Sequence, residues 1–173
     1  MLNTYWKQFK SGTDIRGVAS EGVAGQEVNL TDEAIEKMAA GFVLWLSQAV
    51  EKEPSALTIA VGHDSRISAQ RIQDAVTRVL VGAGVRVLDC GLASTPSMFM
   101  TTIDLACDGS VQITASHHPF NRNGLKFFTK RRFGRPGHRA ILLFAQEGQR
   151  RPRAGAMWRR STTWRTMPSV CAR

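Results

Sequence analysis

A chain of 173 residues with 43% hydrophobic content is long enough for one domain with a sizeable core. Its net charge of +9 is unevenly divided, since residues 1–129 carry 11 basic and 13 acidic side chains, whereas residues 130–173 carry 12 basic side chains against Glu147 alone. The charge therefore excludes a uniformly basic nucleic-acid-binding domain and predicts a near-neutral domain at 1–129 followed by an arginine-rich tail at 130–173.

The cysteines and the first residues indicate the compartment. Cys90, Cys107 and Cys171 show no Cys-x-x-Cys spacing, so a zinc site is not expected. The odd number of cysteines and an N-terminal segment without the apolar stretch of a secretory leader favour a reducing compartment. No apolar run approaches the length of a membrane span. We predict a cytoplasmic protein, with a plastid as the alternative, and no membrane partner.

Strand and helix patterns alternate along residues 30–129. Thr31 can cap a helix whose apolar residues recur at helical spacing through Val50, and Pro54 ends it. A second helix opens at Ser68 and a short third runs from Pro96. The predicted strands are residues 57–61, 85–88, 110–114 and 125–129. This alternation predicts the α/β class: a three-layer α/β/α domain with a mostly parallel sheet.

Polar residues follow two of these strands. Residues 63–66 follow the first predicted strand, and Ser116 with His117 follows the third. Ligands of such sheets gather at the carboxyl ends of the strands, so both segments are expected to face one crevice. A serine hydroxyl is a weak nucleophile that accepts a phosphoryl group only beside cations or a metal and a proton shuttle. His117 and Lys126 can supply these needs, although Ser-His-Pro-like segments are also typical of simple turns.

Three segments carry a family resemblance. Residues 114–119 (TASHHP), followed by 121–126 (NRNGLK), resemble the phosphoserine loop of the α-D-phosphohexomutases, the phosphoglucomutase and phosphomannomutase group. Residues 11–17 (SGTDIRG) are similar to the N-terminal loop of that family, and residues 61–66 (VGHDSR) to its G-x-D-x-R turn. The matches follow the family order and cover the first of the four domains that such enzymes usually have.

The resemblance implies a mechanism and the residues that carry it. Ser116, when phosphorylated, would give its phosphoryl group to a hexose phosphate by way of a hexose bisphosphate, the two partners that the resemblance implies. Ser116, His117, Lys126 and Arg16 are the implied catalytic residues, with Arg16 stabilising charge and the other two handling protons. The resemblance also implies Mg²⁺, bound by Ser116 through its phosphate.

Asp64, Arg66 and His118 are the predicted substrate-binding residues. Asp64 and Arg66 are equally typical of a capped helix start with a salt bridge. His118 stands where the family usually has asparagine, and a bulkier, titratable ring is expected to change how the loop is held. A metal-binding role for His118 is the weaker alternative, because no Cys, Asp or third His stands at ligand spacing.

The later part of the sequence departs from the family. The aspartate-rich metal loop, the sugar-binding loop and the C-terminal phosphate clamp of the family are not found in it. Gly and Pro interrupt residues 130–173, and within this tail only the segment 140–145 is apolar enough to be expected in a core. Two interpretations remain: a departure from the family's reading frame near Lys130, or a non-catalytic protein with a basic tail that binds nucleic acid through arginines, Trp158 and Trp164. We favour the first, expect no nucleic-acid partner, and expect the chain alone to be inactive.

Overall fold

The computed structural model describes residues 1–12, 14–129 and 138–148. The strands in these ranges are β1 (Lys10–Ser11), β2 (Asp14–Val18), β3 (Thr58–His63), β4 (Arg86–Leu92), β5 (Gly109–Ile113) and β6 (Arg122–Thr129). The helices in the same ranges are α1 (Thr4–Lys7), α2 (Asp32–Val50), α3 (Ala69–Gly82), α4 (Thr95–Asp104) and α5 (His138–Glu147). Among these helices, none combines the length and the apolar character that crossing a membrane requires.

The described strands form one mixed sheet in the order β1-β2-β6-β5-β3-β4. Strands β5, β3 and β4 are parallel to one another, whereas β6, β2 and β1 continue the sheet with antiparallel pairings. Helices α2, α3 and α5 cover one face, and α4 covers the other. The predicted three-layer α/β/α architecture is therefore confirmed, with its parallel strands in one half of the sheet.

Alternating side chains of the central strands feed two cores. Ile59 and Val61 of β3 point into the larger core under α2 and α3, whereas Ala60 between them packs with Met98 of α4. Phe127 and Phe128 of β6 divide between the two cores in the same way. This period of two places apolar residues on both faces of the central strands, as expected for a sheet covered on both sides.

The predicted helix starts are largely confirmed. Thr31 caps α2, its Oγ1 accepting a hydrogen bond from the Ala34 N–H at 3.3 Å. Ser94 caps α4, and Pro96 lies in its first turn. Helix α2 ends at Val50, before Pro54, because Glu51 adopts a left-handed conformation with φ of 56°.

Two strands lie where the sequence suggested a loop. Within residues 11–17, Ser11 belongs to β1 and residues 14–17 belong to β2, which pairs with β6. Strand β6 also begins at Arg122 rather than at residue 125. A five-residue strand such as β2 has little pattern of its own, and its pairing with a segment more than a hundred residues later makes it a strand.

Helix α5 lies beyond the predicted domain boundary at residue 129. It packs against α2, with Ile141, Leu142 and Ala145 buried in the larger core. A Cβ on Gly41 of α2 would stand 2.6 Å from the carbonyl oxygen of Ile141, so the two helices meet where no side chain intervenes. The core therefore extends into the predicted tail. The rest of that tail, residues 130–137 and 149–173 with Trp158 and Trp164, lies outside the described residues.

Candidate functional site

Ser116 lies on the loop that leaves β5, at the carboxyl ends of the parallel strands. Its φ of 56° is in the left-handed region, which a residue with a Cβ adopts only when its surroundings hold it there. The Ser116 N–H donates to Thr114 Oγ1 at 2.9 Å, and that hydroxyl in turn donates to Asp64 Oδ2 at 2.7 Å. The Ser116 side chain is exposed. The loop thus presents an exposed serine hydroxyl in a fixed backbone setting.

Arg66 holds this loop through its backbone. Its guanidinium donates to four loop carbonyl oxygens, those of Ser116 (2.6 Å), Pro119 (2.7 Å), His118 (2.8 Å) and Arg122 (2.9 Å). The remaining donor, Nε, lies 3.3 Å from Asp64 Oδ2, and the side chain is only 12% exposed. A guanidinium has five N–H donors in a planar fork, and each of the five has a partner here.

These contacts bear on both interpretations of Asp64 and Arg66. The Arg66 guanidinium contacts the loop and Asp64, and Asp64 accepts from the Arg66 N–H at 3.1 Å as a turn-capping carboxylate does. The structure thus contains the capped turn and the salt bridge, and the substrate-binding role of the two residues stays a prediction. The four carbonyl contacts could not be predicted from the sequence, because they join residues 50 to 56 positions apart.

We expect Arg66→Lys to lower the free energy of unfolding by about 2–4 kcal/mol, because one ammonium group cannot reach four carbonyl oxygens and a carboxylate at once. Urea denaturation measures the change. Arg78→Lys is the matched control, since Arg78 pairs with Glu36 at the surface and the two side chains are 53% and 36% exposed. Arg78→Lys should lower the free energy of unfolding by less than about 0.5 kcal/mol. Equal losses in the two variants would contradict the bracing role.

A second charged group lies on β2 and β6. Asp14 Oδ2 accepts from Arg16 Nη2 at 2.8 Å and lies 3.4 Å from Lys126 Nζ. All three side chains are largely buried, with exposures of 6% for Asp14, 11% for Arg16 and 14% for Lys126. One carboxylate therefore gathers the two cations that the sequence predicted as catalytic.

Gly124 gives Arg16 the room to lie across β6. The antiparallel register places Gly124 opposite Arg16, and a Cβ on Gly124 would lie 2.8 Å from Arg16 Cγ and collide with the Ile15 carbonyl oxygen. The glycine of the N-G-x-K motif is thus explained by the close approach of two strands rather than by a turn.

The two adjacent histidines have different surroundings. Ser116 Oγ lies 3.4 Å from Nδ1 of His117, which is exposed. The His117 and His118 rings stack with centroids 5.1 Å apart. Nε2 of His118 lies 2.7 Å from Nη1 of Arg16. Because a guanidinium only donates, His118 Nε2 is the acceptor. Burial first, and then the positive charge of Arg16, lowers the pKa of His118 and favours the neutral ring that this contact needs.

An open cavity of about 410 Å³ borders the loop. Its lining consists of Asp64, Ser65, Arg66, Ile67, Ser116, His118 and Phe120. Four of the predicted site residues therefore meet at this cavity. The other three predicted site residues contact the lining directly or through a neighbour. His117 lies beside Ser116, and Arg16 contacts His118. Lys126 lies beside Asp14, which also binds Arg16. An anionic group in the cavity would lie beside the serine hydroxyl, close to a cluster of cations.

The described residues do not by themselves fit a magnesium site. Among them, no group of three or more His, Cys, Asp or Glu side chains is arranged to hold a metal. The nearest carboxylates are already engaged, Asp64 with Arg66 and Thr114, and Asp14 with Arg16 and Lys126. Mg²⁺ prefers six oxygen ligands, several of them carboxylates or water. Ser116 would supply one oxygen of such a set.

Three supporting residues were not predicted to have a role. They are Thr114, Asp14 and Gly124, which respectively brace the loop, gather the two cations and make room for Arg16. Each belongs to a motif that the sequence analysis quoted, so the motifs were a usable signal. Their roles depend on partners far along the chain, which the motifs do not name.

Known proteins are similar to this chain in sequence. The family model described as phosphoglucomutase/phosphomannomutase, alpha/beta/alpha domain I, matches residues 7–145. A phosphomannomutase of Klebsiella pneumoniae is 39% identical over 94 residues, which are 53% of this chain and 60% of that protein. A phosphoglucosamine mutase of Leuconostoc citreum is 36% identical over 122 residues, which are 69% of this chain and 25% of that protein.

A solved structure agrees in fold. A phosphoglucomutase/phosphomannomutase family protein of Burkholderia thailandensis superposes with a TM-score of 0.58 at 21% identity, covering 85% of this chain and 31% of that one. The chain therefore spans from about a quarter to three fifths of the length of these relatives. Because the family model matches well over half of its residues, the chain belongs to the phosphoglucomutase/phosphomannomutase family, in which it corresponds to the alpha/beta/alpha domain I.

Proposed function

We propose that Ser116 is the phosphoryl carrier of a phosphohexomutase-type reaction on hexose phosphates. The observation that carries this proposal is the setting of Ser116. Its hydroxyl is exposed, its backbone has a left-handed conformation, and Arg66 holds its carbonyl oxygen. Nδ1 of His117 lies 3.4 Å from the hydroxyl oxygen. The mutase names of the relatives support the reaction class, and the hexose phosphate substrate is part of the proposal.

The loading step can be written with this chain's own residues. The Ser116 oxygen forms a bond to phosphorus while the bond between phosphorus and a sugar oxygen of a hexose bisphosphate breaks. His117 takes the serine proton, and Lys126 gives a proton to the departing sugar oxygen. Solvent exchange then restores the proton balance of the two side chains. Arg16 stabilises the charge of the moving phosphoryl group.

Mg²⁺ is implied by the resemblance, and it would supply charge neutralisation at the phosphoserine. Among the described residues, Ser116 is the one that would hold it, through its phosphate. In this chain the cations of the site are guanidinium and ammonium groups, with Arg16 and Lys126 joined by Asp14. Asp64 and Arg66 act on the loop, which they hold in the conformation that exposes Ser116.

The test is direct phosphorylation. The purified chain is incubated with glucose 1,6-bisphosphate, and intact-mass analysis with peptide mapping follows the modification. We expect one phosphoryl group per chain, on Ser116. Modification at another residue, or none, would contradict the proposal.

We expect Arg16→Ala and Lys126→Ala each to slow this phosphorylation by roughly 10²-fold or more, through lost charge stabilisation and lost proton transfer respectively. Initial rates of the mass shift measure the effect. The matched controls are Arg78→Ala and Lys37→Ala, since both side chains make exposed ion pairs away from the loop. Unchanged rates in both site variants would leave Ser116 without its supporting charges.

A further inference from the structure

His118 joins two arginines that come from different parts of the chain. Its carbonyl oxygen accepts from Arg66 Nη2 at 2.8 Å, and its ring nitrogen Nε2 accepts from Arg16 Nη1 at 2.7 Å. The first contact belongs to the brace of the serine loop. The second crosses to β2, 102 residues earlier in the sequence. His118 is thus a direct side-chain connection between the loop and Arg16.

The orientation of Arg16 depends on this connection. Nη2 is anchored by Asp14 on the same strand, at 2.8 Å, and Nη1 is anchored by His118. Its Nε is buried and has no hydrogen-bond partner within the described part of the chain. Two anchors on two different nitrogens fix the plane of a guanidinium, whereas one anchor leaves it free to turn about that contact.

The same connection sets the distance between Arg16 and Ser116. Arg66 Nη2 bonds to the carbonyl oxygens of both Ser116 and His118, at 2.6 and 2.8 Å, so the two residues are held as one unit. Any displacement of that unit is passed on to Arg16 through the His118 ring. Charge stabilisation in phosphoryl transfer depends on such fixed placement, and small errors in position are costly.

We propose that His118 is a positioning residue, which orients Arg16 relative to Ser116 for phosphoryl transfer; this role rests on the proposed function. The group required is an acceptor at the place of Nε2. The side-chain oxygen of glutamine and the Nε2 of histidine are the same number of bonds from Cβ. The side-chain oxygen of asparagine is one bond closer to Cβ. His118→Gln should therefore restore the contact, and His118→Asn should restore it poorly.

The experiment is a double-mutant cycle on Ser116 phosphorylation by glucose 1,6-bisphosphate. We expect His118→Ala to lower the maximal rate roughly 10-fold with little change in the half-saturating concentration, and His118→Gln to stay within about 3-fold of the parent. In a chain that already carries Arg16→Ala, adding His118→Ala should lower the maximal rate by less than about 2-fold, because His118 acts through the Arg16 side chain that this chain lacks. Thermal unfolding of every variant checks that the fold is intact.

A spectroscopic signature tests the contact independently of the reaction. Long-range proton–nitrogen correlation spectra should show the proton of His118 on Nδ1 and an unprotonated Nε2 in the parent, with this preference relaxed in Arg16→Ala. The positioning role is wrong if His118→Ala lowers the phosphorylation rate by the same factor in the Arg16→Ala chain as in the parent. It is also wrong if Nε2 of His118 carries the proton. The proposed function stands in both cases. If the parent takes up no phosphoryl group, the proposed function fails, and this role fails with it.

Discussion

Replacing Ser116 with alanine is expected to abolish phosphoryl uptake from glucose 1,6-bisphosphate. Ser116 is the exposed hydroxyl that the braced loop presents beside His117, and its loss removes the atom to which phosphorus would bond. A nucleophile deletion of this kind leaves no route to the covalent product. Intact-mass analysis over a time course longer than complete labelling of the parent measures the outcome.

Ser65→Ala is the matched control for this variant. Ser65 is also exposed and lines the same cavity, but its backbone is outside the loop that Arg66 braces. The control should take up one phosphoryl group per chain, as the parent does. Labelling that persists in Ser116→Ala, or that disappears in Ser65→Ala, would contradict the assignment of the carrier.

A protein made of these 173 residues is expected to show no measurable mutase turnover, even with Mg²⁺ and a bisphosphate activator. Ser116, His117 and Phe120 are exposed, so the site as described neither encloses a hexose phosphate nor excludes water. Positioning and electrostatic preorganisation supply nearly all the acceleration in phosphoryl transfer, so repeated turnover without them should be slower by many powers of ten. Loading of Ser116 needs only one slow transfer per chain, which a long incubation allows. A coupled assay scanned over glucose 1-phosphate and mannose 1-phosphate measures turnover.

The phosphorylation assay on the same preparation is the control, because it establishes that the loop is folded and competent. Turnover that depends on Ser116 would contradict this prediction. It would mean that the chain itself supplies the groups that place the sugar.

The long helices and the loop motif could be read from the sequence alone. Thr31 and the apolar residues through Leu46 predict α2 because a cap and a 3.6-residue period involve only neighbours along the chain. The serine loop was recognisable for a related reason, since its residues are consecutive and follow a strand that carries the β-branched Val111 and Ile113. Local chemistry was sufficient for these features.

The contacts within the site were decided by the tertiary structure. The Arg66 guanidinium holds carbonyl oxygens 50 to 56 residues away, which its sequence motif does not indicate. The His118 ring meets Arg16 across 102 residues, and β2 is a strand only because it pairs with β6. Helix α5 is part of the core because Gly41 lets it approach α2 closely. The sequence alone thus determined which local structures and motifs form. Packing decided which distant groups pair in hydrogen bonds and ion pairs. The reason is that a buried donor must be paired, and the tertiary structure determines which acceptors lie within reach of it.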